Sequence, residues 1–131
     1  MKYIQLLQET SMSDVSQVGG KAASLGEMLK IGITVPPGFV ILASAFHHVL
    51  QVSNIEVEID EILQNADFTK TEALEEATKA IQKLVLRIII PDNLKNEIIA
   101  AFKHLNCEYV AVRSSATAED SVFATWAGQL E

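Results

Sequence analysis

A run of glycines and prolines near the N-terminus constrains the fold more than any other feature of this chain. In "VGGKAASLGEMLKIGITVPPGFVIL", Gly19 and Gly20 precede a stretch whose apolar residues recur at helical spacing. Gly32 stands where a glycine commonly ends a helix, and residues 36–38 (Pro-Pro-Gly) stop any helical continuation. The sequence therefore predicts a helix, a tight turn and a strand at residues 39–42. The apolar stripe predicted for the helix comprises Ala22, Leu25, Met28 and Leu29.

The flanking patterns predict a short strand before this helix and a second helix after the turn. "YIQLL" at residues 3–7 favours a first strand, whereas "SMSDVSQVGG" at residues 11–20 is typical of a loop. A short helix over residues 45–51 is predicted next, with Ser44 as its N-terminal cap.

The middle third of the chain is predicted to be helical. "IEVEIDEILQ" admits two interpretations, because alternate residues from Ile55 are apolar as in a strand, while other apolar pairs have helical spacing; we expect a helix from about Glu56. Residues 70–89 are rich in Ala, Leu, Glu and Lys, which readily form helices, and Pro91 separates them from a further helix at 92–105. The stripe predicted for residues 70–89 comprises Leu74, Ala77, Ile81, Leu84 and Val85.

The segment "EYVAVR" at residues 108–113 is the clearest strand pattern in the chain. With the two shorter strands and the helices between them, it predicts a mixed α/β fold of the α+β class. The length of 131 residues suits one small domain with a core of its own.

Charge and cysteine content restrict the functional class. The formal net charge of −7 argues against nucleic acid as a partner, although one nucleotide needs only a local basic cluster. Cys107 is the single cysteine, so no disulfide forms within the chain and no cysteine metal site is available. With no visible signal peptide and no apolar run long enough to span a membrane, we expect a cytoplasmic protein.

The stretch "VGGKAASLGEM" has the character of a phosphate site. Glycines at Gly19 and Gly20 permit close approach of a ligand, and the start of a helix offers unpaired N–H groups, beside which Lys21 adds a mobile charge. It is not a Walker A loop, since Val15 and Ala22 occupy positions where that pattern has glycine and a hydroxyl residue. The alternative is a glycine turn before a helix with an exposed lysine.

The stretch "AVRSSATAED" is a second candidate. Arg113 would end the predicted strand, where its planar guanidinium can bind phosphate oxygens. Ser114, Ser115 and Thr117 add hydroxyls and leave nearby N–H groups accessible. The alternative is a capped loop in which Arg113 pairs with Glu119.

Other chemically interesting residues are more readily explained by structure. Trp126 suits core packing, and Gly128 beside it is a possible close-approach glycine. The three histidines have no metal-ligand partner at helical spacing, so we assign them to structure or surface: His47, His48 and His104.

Four blocks, "VGGKAASLGEM", "VPPGFVI", "VAVRSSATAED" and "WAGQLE", occur in an order that resembles one known family. It is the N-terminal nucleotide-binding domain of phosphoenolpyruvate synthase and its relatives, which include pyruvate phosphate dikinase and rifampicin phosphotransferase. The resemblance implies part of an ATP-grasp-like domain, its first subdomain only, in which ATP lies between two subdomains. At Trp126 and Leu130 this sequence departs from the residues expected of the family.

The resemblance also implies roles for individual residues. Lys21 and Arg113 match catalytic residues that contact the nucleotide phosphates, with Gly20 beside the lysine and Gly128 on a loop covering the phosphates. The hydroxyl residues of the matching loop are expected near the nucleotide: Ser114, Ser115 and Thr117.

The family transfers the β-phosphoryl group of ATP to a histidine on a separate domain, and from there to pyruvate. We therefore expect residues 1–131 to be the N-terminal part of a longer enzyme, with ATP and Mg²⁺ as cofactors and the metal ligands elsewhere. Its expected partners are the remaining ATP-binding half, the phosphohistidine domain and the pyruvate domain. By itself this part is expected to be inactive. An antibiotic phosphotransferase and a non-catalytic nucleotide- or partner-binding module are the alternatives.

Overall fold

Two short strands pair in residues 1–117, the part of the chain that the computed structural model describes. Strand β1 (Ile4–Leu6) runs antiparallel to β2 (Phe39–Ile41), with Ile4 opposite Ile41. Both strands lie where the sequence predicts them. The Leu7 amide extends the pairing by donating to the Gly38 carbonyl over 3.0 Å. The pairing of β2 with β1 therefore begins at the glycine of the Pro-Pro-Gly turn.

Helices make up most of the rest of residues 1–117. They are α1 (Val15–Lys30), α2 (Ala43–Ser53), α3 (Glu56–Asn65), α4 (Thr71–Leu86) and α5 (Asp92–Leu105), preceded by 3₁₀ helices at Leu7–Glu9 and Met12–Asp14. The predicted α+β class is confirmed. Within the described part, no helix has the length and apolar character that a membrane crossing requires.

The chain divides into two compact units, of which the second is Phe46–Pro91. The core of the first unit lies between α1 and β2, where Val18, Ala22, Ala23 and Val40 are all buried. The predicted apolar stripe of α1 was therefore placed too far round the helix, since Met28 is 41% exposed. The reason is that α1 packs through its smallest residues: a side chain at Gly26 would overlap Thr10.

The sequence predicted the C-terminal end of α1 correctly, but not its N-terminal end. The loop predicted for residues 11–20 was partly wrong, because Met12–Asp14 is a 3₁₀ helix and α1 already begins at Val15. The Asp14 carboxylate accepts the Ser11 N–H over 2.9 Å, which fixes this start. At the other end Gly32 has a φ of 82° and donates to the Leu29 carbonyl, as predicted for a C-terminal glycine.

Helix α5 packs against β1 in the first unit, with Leu94 and Ala101 buried. The Glu97 carboxylate accepts N–H groups from Tyr3 over 2.9 Å and from Lys2 over 3.2 Å. These hydrogen bonds, that of Tyr3 first, lower the pKa of Glu97 below its usual range. The carboxylate thereby ties the beginning of the chain to a helix more than ninety residues away.

The second unit contains α3 and α4, which contact one another through faces that include the buried Ala77. The helical interpretation of the stretch after Ile55 is confirmed, and the strand alternative was wrong. Asp67 shapes the turn between these helices by accepting the Thr69 hydroxyl over 2.6 Å. This hydrogen bond is the main cause of the lowered pKa of Asp67.

The start of α2 differs from the prediction. The helix already contains Ser44, which we had expected to be its N-terminal cap.

The strand predicted at residues 108–113 is absent, and these residues form neither helix nor strand. A strand requires a neighbour for its N–H and C=O groups, and in residues 1–117 both β1 and β2 pair only with each other. Tyr109 and Val112 are 83% and 93% exposed, so the apolar pattern that suggested a strand is not buried here. The argument that Arg113 lies at a sheet edge is therefore wrong.

Candidate functional site

Gly19 interrupts α1 one turn from its start. Its backbone angles, a φ of 78° and a ψ of 161°, lie in a region that is essentially accessible only to glycine. The residues on either side remain helical, so α1 is two helical segments joined at one residue. The sequence identified the glycine pair, but only the structure distinguishes its members: Gly19 forms the break, whereas Gly20 has helical angles.

The side chain of Ser115 fills this break. Its hydroxyl donates to the Val18 carbonyl over 2.7 Å and accepts the Ala22 N–H over 3.2 Å. In an uninterrupted α-helix this carbonyl and this N–H, four residues apart, would bond to each other. Ser115 therefore replaces one bond of the helical ladder with a pair of bonds through its own oxygen.

The backbone of Ser115 explains why residue 19 has no side chain. A Cβ atom built at Gly19 would overlap the Ser115 carbonyl oxygen and lie 2.6 Å from Oγ. Glycine is required at this position both for its backbone angles and for the close approach of the second segment. Sequence reasoning assigned Ser115 to the nucleotide and did not anticipate this contact.

Lys21, two residues after Gly19, also contacts this segment. Its ammonium group donates to the Ser114 carbonyl over 3.0 Å. Lys21 is half-buried, while Arg113, the residue before Ser114, is exposed. Within the described residues the Arg113 guanidinium makes no hydrogen bond or ion pair. The loop that contains Arg113 therefore contacts Lys21, the other predicted cation.

The remaining predicted site residues are placed as follows. Gly20 begins the helical segment that carries Lys21 and is half-buried. Thr117 is exposed in a turn at the end of the described chain. Gly128 and Trp126 lie outside the described residues, as does Glu119, the partner of Arg113 in the capped-loop alternative.

Thr10 contacts α1 at Ala22, three residues after the break at Gly19. This threonine is fully buried, and its Oγ1 lies 2.8 Å from the Leu7 carbonyl and 3.2 Å from the Ala22 carbonyl. It also fills the space left by the missing side chain of Gly26. Ala22 is therefore held at its N–H by Ser115 and at its carbonyl by Thr10. No sequence motif marked Thr10.

Two positively charged residues belong to the segments that meet at the Gly19 break. Lys21 and Arg113 contribute two positive charges, and guanidinium groups bind phosphate oxygens through paired donors. Glu27, farther along α1, accepts the Met12 N–H over 3.1 Å, which is the main reason that its pKa is lowered. It also pairs with Lys30 at 3.2 Å, so this acid is engaged with other residues.

The described residues do not assemble a metal centre. Among residues 1–117 no three His, Cys, Asp or Glu side chains come together in a way that could hold a metal ion. Of the histidines, His47 contacts the Phe46 ring in a tilted arrangement, and His104 is exposed at the end of α5. Mg²⁺ ligands are therefore not assigned to these residues.

Comparison with known proteins identifies the family of the chain. The family model described as pyruvate phosphate dikinase, AMP/ATP-binding domain, matches residues 15–131. A protein of Methanocaldococcus jannaschii named "Probable phosphoenolpyruvate synthase" is 46% identical over 98% of this chain and 11% of its own length. The phosphoenolpyruvate synthases of Helicobacter pylori and Pyrococcus furiosus are 40% and 34% identical, over 98% and 99% of this chain.

These relatives are much longer than the chain. It covers 17% of the Helicobacter protein and 21% of the Pyrococcus protein. The family match includes both segments of the site, from the break in α1 to the loop after Arg113. The chain belongs to the family of the pyruvate phosphate dikinase AMP/ATP-binding domain.

Proposed function

We propose that this chain forms part of the ATP site of a phosphoenolpyruvate synthase, with Lys21 and Arg113 as its phosphate-binding residues. The observation that carries the proposal is the hydrogen bond from Lys21 to the Ser114 carbonyl, which links the two sequence blocks that carry positive charge. The domain family supports ATP as the ligand, and the names of the relatives support the synthase over an antibiotic phosphotransferase.

The proposed reaction converts ATP, pyruvate and water to phosphoenolpyruvate, AMP and phosphate through a phosphohistidine on another domain. Phosphoryl transfer depends mainly on positioning and on stabilising negative charge on the transferring group. Arg113 would bind phosphate oxygens through its planar donors, and Lys21 would add a second positive charge close by. An ATP-grasp arrangement, bound Mg²⁺ and a cytoplasmic location stay predictions.

The residues present fit a triphosphate in their charge and exposure. Arg113 is exposed and has no hydrogen-bond or ion-pair partner among residues 1–117, so its donors are available to a ligand. The Lys21 ammonium already contacts a carbonyl on the adjoining loop, which restricts where the charge can lie. A pre-positioned cation loses less conformational entropy on binding than a free one.

The test compares ATP with adenosine in the protein at its natural length. Lys21→Ala and Arg113→Ala should each weaken ATP binding by about tenfold, which corresponds to about 1.4 kcal/mol, because each removes a charged contact. Adenosine affinity should stay unchanged, since adenosine lacks phosphates. Lys30→Ala and Arg87→Ala are the matched controls, being exposed cations outside the site. Equal loss of ATP and adenosine binding, or no loss of either, would contradict the proposal.

A further inference from the structure

The hydroxyl of Ser115 has both of its principal hydrogen-bonding functions occupied inside the protein. Its proton is donated to Val18 and a lone pair accepts the N–H of Ala22. A hydroxyl has one proton to donate, so Ser115 cannot also donate to a phosphate oxygen without giving up Val18. Its backbone carbonyl lies so close to Gly19 that a side chain at residue 19 would overlap it. The Ser115 hydroxyl is therefore poorly placed to donate to a phosphate oxygen.

The same contacts place Ser115 where it determines the position of its neighbours. It is the third residue of the sequence Arg113–Ser114–Ser115, whose other members are the exposed cation and the carbonyl that holds Lys21. Residues 106–117 contain no helix or strand, so ladder hydrogen bonds do not hold this segment in place. The contacts at the Gly19 break instead attach this segment to α1. The hydrogen bond from Ser115 to Val18 spans 97 positions of the sequence.

We propose that Ser115 is a positioning residue of the ATP site: its hydroxyl, inserted between Val18 and Ala22, holds Arg113 and Lys21 together for phosphate binding. The inference rests on the proposed function and deepens it. Gly19 is also needed for this positioning, because only a residue without a side chain leaves room for Ser115. Ser115 acts through the two cations and makes no contact with the nucleotide.

The test uses Ser115→Ala in the protein at its natural length. We expect ATP affinity to fall by about fivefold, because the hydroxyl's hydrogen bonds to Val18 and Ala22 are lost, while adenosine affinity stays the same. Ser24→Ala is the control, since Ser24 is an exposed serine of α1 away from the break, and should change neither affinity. A defect that merely loosened the fold would weaken the binding of both ligands.

A second comparison separates positioning from direct contact. In the Lys21→Ala/Arg113→Ala background, adding Ser115→Ala should change ATP affinity by less than about twofold, because its effect passes through the missing cations. If Ser115→Ala has its full effect in that background, Ser115 binds the nucleotide itself and the inference is wrong.

Gly19→Ala provides an independent variant that disturbs the same junction from the other side. It should weaken ATP binding in the parent protein and have little further effect in the background without the two cations. If the two cation variants retain parental ATP affinity, the proposed function fails and this inference with it. If they lose affinity while Ser115→Ala and Gly19→Ala do not, only the positioning role is overturned.

Discussion

Gly19 and Ser115 lie in direct backbone contact, so that a Cβ atom at residue 19 would overlap the Ser115 carbonyl oxygen. Gly19 also has backbone angles that residues with side chains rarely adopt. We expect Gly19→Ala to lower the free energy of unfolding by about 2–4 kcal/mol, combining backbone strain with the cost of displacing Ser115. Chemical denaturation of parent and variant measures this difference.

Gly32→Ala is the control for the Gly19 prediction. Gly32 also has a positive φ, 82°, but a Cβ atom there would meet nothing within 4 Å. Its cost should be limited to the left-handed backbone, about 1 kcal/mol. Equal losses for the two variants would show that the contact with Ser115 contributes nothing measurable at residue 19.

Thr10 supplies a second prediction. Its hydroxyl is buried, with Oγ1 2.8 Å from the Leu7 carbonyl and 3.2 Å from the Ala22 carbonyl, so Thr10→Val should keep the shape of the side chain but remove the hydrogen bond that this hydroxyl donates. We expect a loss of about 1–2 kcal/mol in the free energy of unfolding. Thr78→Val removes a similar hydroxyl–carbonyl bond on an exposed face of α4 and should cost less than about 0.5 kcal/mol. A larger loss at Thr78 than at Thr10 would contradict the assigned burial.

Glu97 makes stability depend on pH. Its pKa in the folded protein lies below the ordinary value of 4.5, chiefly because the Tyr3 N–H stabilises the charged form. The carboxylate therefore contributes stability above pH 4.5, and this contribution is lost as the pH falls through the lowered pKa. Glu97→Gln should lower the Tm at pH 7, and the difference from the parent should shrink below pH 4.5.

Thermal unfolding between pH 3 and pH 7 tests this dependence. Glu58→Gln is the control, because Glu58 is an exposed glutamate on α3 for which the structure shows no backbone N–H donor. A Glu97→Gln difference that is constant across this range would mean that the interaction with the Tyr3 and Lys2 amides does not depend on the charge of the carboxylate.

Local patterns in the sequence were sufficient to predict most of the elements. Gly32 and the Pro-Pro-Gly turn correctly placed the end of α1 and the start of β2, because these residues act on their immediate neighbours. The strand at residues 108–113 was wrong, since a strand depends on a partner that local pattern does not supply.

For the candidate site, the sequence supplied candidate residues but not the contacts between them. Lys21 and Arg113 were identified by residue type and family resemblance. Their connection through Ser114 and Ser115 was not, because it joins segments more than ninety residues apart. The local sequence around Ser115 does not indicate that its hydroxyl bonds to the Val18 carbonyl and the Ala22 N–H, so only the fold reveals these contacts.

The most direct test of the account is hydrogen exchange of the protein at its natural length, with and without saturating ATP. Because Lys21 and Arg113 are proposed to bind phosphate, ATP should slow amide exchange in peptides covering residues 15–30 and 108–117, whereas adenosine should not. Peptides from α4 serve as the internal reference, and Arg113→Ala should abolish the slowing at residues 108–117. If ATP binds while both site peptides exchange at their unliganded rates, these residues do not form the phosphate site.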